Sequence, residues 1–281
     1  MRRLLGGTSS AVHAVNVIDR RGQVRRLVLR RFVRAGWLAR EPDLAEREAR
    51  VLELLAGAGV PAPELVAVDP KGEACDVPAV LMTRLPGRVV FAPDSFEPWL
   101  RQMAEALPAV HAVGSEAARL VQPYRAYYDL TKVEPPPWST QPAAWARALD
   151  VATGPPPETA RCFIHRDYHP GNVLWSRGRL TGVVDWINAS WGPPPVDVAH
   201  CRLNLVQVHG VEAADRFVAE YRSLTGHDHH PYWDLVSVMD MGSLPERDVF
   251  PGWLDAGLRH LTASLVRARL DEYVVSLVAR L

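Results

Sequence analysis

The alternation of apolar and polar residues divides the chain into a strand-rich beginning and a mainly helical remainder. Within residues 4–32, two alternating segments flank the polar sequence RRGQ, which predicts a β-hairpin. The segments VPAPELVAVD and VPAVLMTRLPG predict two more strands, and Pro86-Gly87 then interrupts the pattern. Residues 43–57 instead have apolar side chains at helical spacing, with Asp43 as a candidate N-cap. The beginning of the chain is therefore expected to form a small sheet with one helix.

The remainder of the chain is expected to be mostly helical. Residues 95–114 have the apolar spacing of a long helix, whereas the proline-rich segment 116–160 is expected to be irregular. Short strands are predicted at 162–165, 172–175 and 180–186, and helices at 196–208, 211–224, 231–241 and 252–280. The pattern predicts an α+β fold with a small β-rich lobe at 1–85 and a larger, mainly helical lobe at 86–281.

The first predicted helix carries one acidic residue on its apolar face. Its buried stripe consists of Leu44, Val51, Leu52 and Leu55. Glu48 falls on the same stripe, and a buried carboxylate is costly unless a cation pairs with it. The periodicity therefore predicts a cationic partner for Glu48. The alternative is that Glu48 lies at the edge of the stripe and reaches solvent.

Composition and charge narrow the class of protein. Of the 281 residues, 48% are hydrophobic and 23% are charged, which is typical of soluble globular proteins. The net charge is zero, which argues against a nucleic-acid partner. The charge is uneven, since residues 1–50 have twelve arginines and five acidic residues and the remainder carries a charge of −7. A basic first lobe would suit an anionic cofactor, although separate solvated faces would give the same count.

Cysteine spacing and hydropathy indicate a cytoplasmic protein. Cys75, Cys162 and Cys201 are far apart and form no CxxC pair, which argues against a disulfide framework or a zinc ribbon. The first residues lack the apolar core of a secretory signal, and no apolar run is long enough to span a membrane.

The sequence FIHRDYHPGNVLW, residues 163–175, has the densest group of reactive side chains. His165, Asp167 and Asn172 match H-R-D-x-x-x-x-N, and Asp185 follows at the end of the predicted strand LTGVVDW. Phosphoryl transfer needs a carboxylate that orients the acceptor hydroxyl, and oxygen ligands for Mg²⁺. Asp167 fits the first role, and Asn172 and Asp185 fit the second.

These motifs, with GVVDWINASWGPPPVDVAH downstream, resemble the aminoglycoside phosphotransferase family of small-molecule kinases. The resemblance implies a bilobal protein-kinase-like fold with ATP or GTP and Mg²⁺ as cofactors. It implies that Asp167 is the catalytic base and that Asn172 and Asp185 hold the metal. It also implies that His165 and Asp197 support the catalytic loop.

The same resemblance implies a nucleotide site in the first lobe. The phosphate-covering turn would be Gly6, Gly7, Ser9 and Ser10, and the adenine segment would be Met82, Thr83 and Leu85. Strand alternation allows either Arg30 or Arg31 to point inward, and the resemblance selects Arg30, with Glu48 as its partner. Two features depart from the family pattern. An arginine stands where the family usually has lysine, and the chain begins close to the glycine turn.

The acceptor is expected to bind near the C-terminal helices. Six acidic residues and one arginine lie between His227 and Asp255, which favours a cationic acceptor such as an aminoglycoside or another amine-bearing compound. The candidate contacts are His169, Asp234, Asp240 and Glu246. An acidic solvated surface would give the same composition. The aromatic residues Tyr232, Trp233 and Trp253 would line an apolar wall of the pocket or fill the core.

The expected function is Mg-dependent transfer of the γ-phosphoryl group of ATP or GTP to a hydroxyl of a small molecule. Antibiotic resistance and metabolism are both compatible with these motifs. One alternative is a catalytically silent nucleotide-binding protein of the same fold. Another is a metallohydrolase that uses His165, Asp167 and His169 as ligands. A protein kinase is disfavoured because Asp185 is not followed by Phe-Gly and no A-P-E sequence appears.

Overall fold

The computed structural model describes residues 1–4, 10–18, 20–241 and 249–281. Its strands are β1 (Arg2–Arg3), β2 (Ala11–Ile18), β3 (Val24–Arg31), β4 (Leu65–Asp69), β5 (Ala79–Thr83), β6 (Arg88–Val89), β7 (Gln122–Pro123), β8 (Cys162–Ile164), β9 (Val173–Ser176), β10 (Arg179–Val183) and β11 (Ser190–Gly192). Its helices are α1 (Ala35–Leu38), α2 (Leu44–Leu55), α3 (Phe96–His111), α4 (Ala117–Leu120), α5 (Pro142–Ala152), α6 (Pro195–His209), α7 (Val211–Thr225), α8 (Pro231–Met239), α9 (Pro251–Asp255) and α10 (Ala263–Val278). Single turns of 3-10 helix lie at Leu130–Lys132, Pro170–Asn172 and Trp186–Asn188.

The N-terminal lobe is a five-stranded sheet in the order β1-β2-β3-β5-β4. The predicted hairpin is confirmed, because β2 and β3 pair antiparallel along their whole length, with Val12 opposite Arg30. The predicted helix is α2, whose apolar stripe packs against β4 and β5. Asp43 occupies the N-cap position, but its side chain forms no capping hydrogen bond.

The larger lobe is mainly helical and contains two small sheets. One has the strand order β10-β9-β6 and the other β7-β11-β8. The strand β6 lies just after the interrupting Pro86-Gly87 and pairs with β9, so the chain enters the second lobe directly beside the β9–β10 hairpin. The division of the chain at residue 85 stays a prediction. The mixed α+β architecture agrees with the expected fold class.

Two predicted segments of the second lobe differ from the structure. The proline-rich segment contains helix α5, because Pro142 occupies the first helical turn, where its missing N–H costs nothing. The predicted single helix at 252–280 is wrong. It is two helices, α9 and α10, separated after Gly257, which has φ +90°, and Thr262 caps α10 by accepting the backbone N–H of Leu265.

The core of the second lobe surrounds the segment with the predicted motifs. Its largest fully buried side chains include Trp145, Trp186, Tyr168 and Tyr273. The aromatic residues Tyr232, Trp233 and Trp253 are also buried, so they fill the core. Within the described ranges, no helix is both long and apolar enough to cross a membrane.

Candidate active site

The loop that carries Asp167 is fixed by one buried carboxylate. It leaves β8 at Ile164, and Arg166 adopts a left-handed backbone conformation with φ +71°. Asp197, in the first turn of α6, accepts the backbone N–H groups of His165 at 2.9 Å and Arg166 at 2.7 Å. Burial opposes the ionisation of Asp197, but the hydrogen bond from His111 and the loop contacts hold its pKa below the usual range. Asp197 therefore has the geometry of a loop support.

His165 joins this loop to the strand that precedes Asp185. Its Nδ1 accepts the backbone N–H of Asp167 at 3.2 Å. Its Nε2 donates to the carbonyl oxygen of Val184 at 3.0 Å. Both ring nitrogens of His165 are therefore bonded within the protein, and the side chain is fully buried.

Asp167 presents its carboxylate at the end of the loop, with a quarter of the side chain exposed (25%). Its Oδ1 lies 3.0 Å from Nε2 of His200, and its Oδ2 lies 3.3 Å from Nδ2 of Asn172. Burial opposes ionisation, but the His200 hydrogen bond and the neighbouring histidines hold the pKa of Asp167 well below its usual range. The group is therefore a carboxylate at neutral pH, the form that accepts a hydrogen bond from a hydroxyl.

The β9–β10 hairpin brings Asn172 and Asp185 to the same end of the site. The backbone N–H of Val184 donates to the carbonyl oxygen of Asn172 at 2.9 Å, which closes the hairpin next to both residues. Asp185 has a left-handed conformation with φ +67°, and about a third of its side chain is exposed (32%). Asn172 lies just before β9 and Asp185 lies two residues after β10, so both lie outside the strands that were predicted to contain them.

The donor set at this end of the hairpin suits Mg²⁺. Asn172 uses its Nδ2 to bond Asp167, which turns its amide oxygen away from that contact. Asp185 uses Oδ1 to bond Arg30, which leaves its Oδ2 for another partner. A hard cation such as Mg²⁺ takes oxygen ligands of this kind, one or two from protein and the rest from water and phosphates.

Arg30 provides the cation that the helix periodicity predicted for Glu48. Its Nη1 lies 2.6 Å from Oε1 of Glu48 and 2.7 Å from Oδ1 of Asp185. Its Nε donates to Oγ of Ser10 at 2.9 Å. Burial opposes its charge, but the two carboxylates raise the pKa of Arg30 above its usual value. Arg31 points to the opposite face of the sheet and donates to the carbonyl oxygen of Cys75. Of the two arginines, Arg30 is therefore the one that points inward.

The remaining nucleotide candidates fall into two groups. Gly6, Gly7 and Ser9 lie outside the described residues. In the adenine segment, Met82 is buried on β5, and Thr83 uses its backbone N–H and its hydroxyl to bond Glu64 within the lobe. Leu85 lies against Gly182 of β10. A Cβ atom added to Gly182 would lie only 2.4 Å from Cδ1 of Leu85. Leu85 therefore packs between the two lobes.

The structure corrects two of the predicted acceptor contacts. Asp234 is fully buried and accepts a hydrogen bond from the guanidinium of Arg202, so it does not face a ligand. Asp240 is also buried, and it bonds Arg166 and the backbone N–H groups of Tyr127 and Tyr128. Both acids are neutralised by arginines inside the protein. Glu246 lies outside the described residues.

His169 does lie beside the Asp167 carboxylate. Its Nε2 is 3.8 Å from Oδ1 of Asp167, and its Nδ1 accepts the backbone N–H of Gly171 at 3.1 Å. Burial lowers its pKa to about 4, so the ring is neutral at pH 7. The sequence reasoning missed His200, which follows Asp197 by three residues and so lies on the same face of α6. That spacing is the signal that would have found it.

Comparisons with known proteins agree with this geometry. The family profile described as "Phosphotransferase enzyme family" matches residues 1–261. A thermostable mutant of aminoglycoside phosphotransferase APH(4)-Ia in its apo form is 21% identical, with a TM-score of 0.63 over 98% of this chain and 93% of that chain. The macrolide 2'-phosphotransferase MphH from Brachybacterium faecium is 18% identical, with a TM-score of 0.60 over 97% of this chain and 91% of that chain.

One curated relative is not named as a phosphotransferase. Acyl-CoA dehydrogenase family member 10 of Mus musculus is 25% identical over 216 residues, which is 69% of this chain. The match spans only 19% of that protein, so it concerns a part of a much longer relative. The profile match spans nearly the whole chain, and the structural similarity shows the same kinase-like fold. The chain therefore belongs to the phosphotransferase enzyme family.

Proposed function

We propose that this protein transfers the γ-phosphoryl group of ATP or GTP to a hydroxyl group of a small molecule. The observation that supports this most strongly is the convergence of one partly exposed carboxylate, two side chains with oxygen atoms suited to Mg²⁺, and one buried cation. These are Asp167, Asn172, Asp185 and Arg30. A protein that only bound nucleotide would not need Asp167 as a partly exposed carboxylate.

Asp167 would act as the base. The acceptor hydroxyl would donate a hydrogen bond to its carboxylate, which orients the oxygen for in-line attack and takes the proton as the phosphoryl group moves. The low pKa of Asp167 keeps the group ionised and ready to accept that bond. His165 and Asp197 hold the loop that presents it.

Asn172 and Asp185 would hold Mg²⁺, and Arg30 would contact the nucleotide phosphates. When bound, the metal supplies positive charge that neutralises the phosphate oxygens. Arg30 is already held by Glu48 and Ser10, so its guanidinium is oriented before nucleotide arrives. A pre-oriented cation loses little entropy on binding, which favours the phosphates.

The acceptor is proposed only as a hydroxylated small molecule. One solved neighbour is a ternary complex of APH(4)-Ia with ADP and hygromycin B, and another is an amicoumacin kinase in complex with AMP-PNP and Ca²⁺. These neighbours make aminoglycosides, macrolides and amicoumacin-like compounds sensible first acceptors. Because Asp234 and Asp240 are neutralised internally, a strongly cationic acceptor would need other acidic contacts.

The proposal is tested by thermal-shift titration with ATP and GTP, each with and without Mg²⁺. Nucleotide that binds the folded state raises the midpoint by mass action. We expect a Mg-dependent rise that Asp185→Ala loses. The matched control is Asp150→Ala, an exposed acid on α5, which should behave like the wild type. If neither nucleotide shifts the midpoint but Zn²⁺ alone does, the metallohydrolase alternative is favoured. Binding without any turnover would favour the silent alternative.

A further inference from the structure

His200 contacts the carboxylate of Asp167 but has no assigned role in the proposed phosphoryl transfer. It lies on α6, one turn after Asp197, and 19% of its side chain is exposed. Its Nε2 lies 3.0 Å from Oδ1 of Asp167. Since Asp197 on the same helix fixes the loop backbone, α6 contacts both the backbone and the reactive side chain of the catalytic loop.

The same side chains have the composition of a metal site. Ligand atoms of Asp167, His169 and His200 all lie within 4.8 Å of one another. Two imidazoles and a carboxylate are ligands that Zn²⁺ accepts. The sequence predicted His165 and His169 as the histidine ligands. In the structure Nε2 of His165 bonds the carbonyl oxygen of Val184, and the second histidine of the group is His200 of α6.

The proton on His169 argues against a metal here. Its Nδ1 accepts the backbone N–H of Gly171, so in the neutral ring the proton is on Nε2. A metal bound at Nε2 would need that nitrogen deprotonated and the proton moved to Nδ1. The moved proton would then face the Gly171 N–H at 3.1 Å, which removes the hydrogen bond and brings two donors together.

The two carboxylate oxygens of Asp167 have unequal partners. Oδ1 is at hydrogen-bond distance from His200. Among the described residues, Oδ2 has one long contact of 3.3 Å, with Asn172, whose amide forms its shorter bond, 2.9 Å, with the backbone oxygen of Asp167. Oδ2 is therefore the oxygen that has capacity to accept the hydroxyl of the acceptor.

We propose that His200 is a positioning residue, which donates its Nε2–H to Oδ1 of Asp167 and so turns Oδ2 toward the acceptor hydroxyl. The inference rests on the proposed function, because the direction of this carboxylate matters only if Asp167 is the base. Helix α6 is a rigid support, and it fixes the carboxylate and the loop backbone in one frame. A displacement of about 1 Å at a reacting group costs on the order of 100-fold in rate.

The contact itself is tested without any acceptor by NMR of histidine-¹⁵N-labelled protein. His200→Gln assigns the His200 signals. We expect Nε2 of His200 to carry a proton in the wild type and its signals to shift in Asp167→Ala. A His200 ring with its proton on Nδ1 only would overturn the proposal, since Nε2 would then be unable to donate. Binding of equimolar Zn²⁺ through Nε2 of His169 and His200 would overturn it as well and would show a metal site.

Turnover tests the consequence of the contact. His200→Phe removes the donor and keeps a planar ring, whereas His200→Gln keeps an N–H at a similar reach. We expect His200→Phe to lower kcat by about 10- to 100-fold with unchanged nucleotide Kd, and His200→Gln to recover most of the loss. His227→Phe, at an exposed loop histidine, is the control.

A wild-type kcat in His200→Phe, or a His200→Gln variant no better than His200→Phe, would refute the positioning role. Failure of the wild type to bind Mg-nucleotide would instead contradict the proposed function. The NMR result is independent of that outcome, so the two failures are distinguishable.

Discussion

Arg30 is the residue at which the N-terminal lobe meets the proposed active site. Its Nη1 bonds both Glu48 of α2 and Asp185 after β10, while its Nε bonds Ser10. A lysine has one terminal nitrogen, whereas two nitrogens of the Arg30 guanidinium bond these three groups. The arginine that departs from the family pattern therefore has its own structural reason. The guanidinium fork joins a strand, a helix and the proposed metal ligand.

This arrangement predicts a large loss of stability for Arg30→Ala. The substitution leaves Glu48 buried without its cation, which costs about 3–5 kcal/mol for pairs of this type. The free energy of unfolding is measured by urea denaturation. The control is Arg31→Ala, on the same strand but with its side chain directed to the Cys75 carbonyl, which should lose less than about 1.5 kcal/mol. Equal losses in the two variants would show that the Arg30 pair is not buried as described.

Among the helices, α6 connects the Asp167 loop to α3. Its first turn holds the loop through Asp197, and its last residue, His209, packs against α3. The His209 ring lies 5.0 Å from the Phe96 ring and 5.7 Å from the Trp99 ring, measured between centroids. Burial lowers the pKa of His209 to about 4, so this junction is stable with a neutral imidazole.

The junction predicts acid sensitivity. In the unfolded chain a histidine has a pKa of about 6.5, so it is protonated below that pH. In the folded protein His209 is protonated only below about pH 4, so between these values the unfolded state binds one more proton. The free energy of unfolding should therefore fall as the pH decreases from 7 to 5. His209→Gln should reduce this slope by at most about 1.4 kcal/mol per pH unit, measured by urea denaturation at each pH. His227→Gln, at an exposed position, should leave the slope unchanged, and an unchanged slope in His209→Gln would contradict the assignment.

The elements that the sequence predicted well are those with a strong local signal. The β2–β3 hairpin and α2 follow from periodicity and turn residues within a few positions. Helix α5 was missed because prolines around it suggested irregular structure, although Pro142 in the first turn favours a helix start. The break between α9 and α10 was missed because apolar spacing continues past Gly257. Local composition does not reveal where such a helix stops.

In the whole molecule, several buried acidic residues form ion pairs with arginines that are distant in the sequence. Asp234 and Asp240 looked like acceptor contacts because they lie in an acidic stretch, but Arg202 and Arg166 neutralise them inside the fold. The helical periodicity predicted that Glu48 needs a cationic partner, because this signal lies within one helix. Only the family resemblance identified that partner as Arg30. That Asp167 and Asn172 lie close together was predictable from the motif, whereas the contact of His200 with Asp167 depends on the packing of α6 against the loop.

The measurement that tests the account most directly is nucleotide turnover by Asp167→Asn beside the wild type. Both proteins are supplied with Mg-ATP or Mg-GTP and a panel of hydroxylated acceptors that includes hygromycin B, a macrolide and amicoumacin. ADP or GDP release and phosphorylated acceptor are both quantified. We expect transfer by the wild type and a loss of at least about 100-fold in Asp167→Asn, with nucleotide binding retained. Near-full transfer by Asp167→Asn would contradict the role of Asp167 as the base.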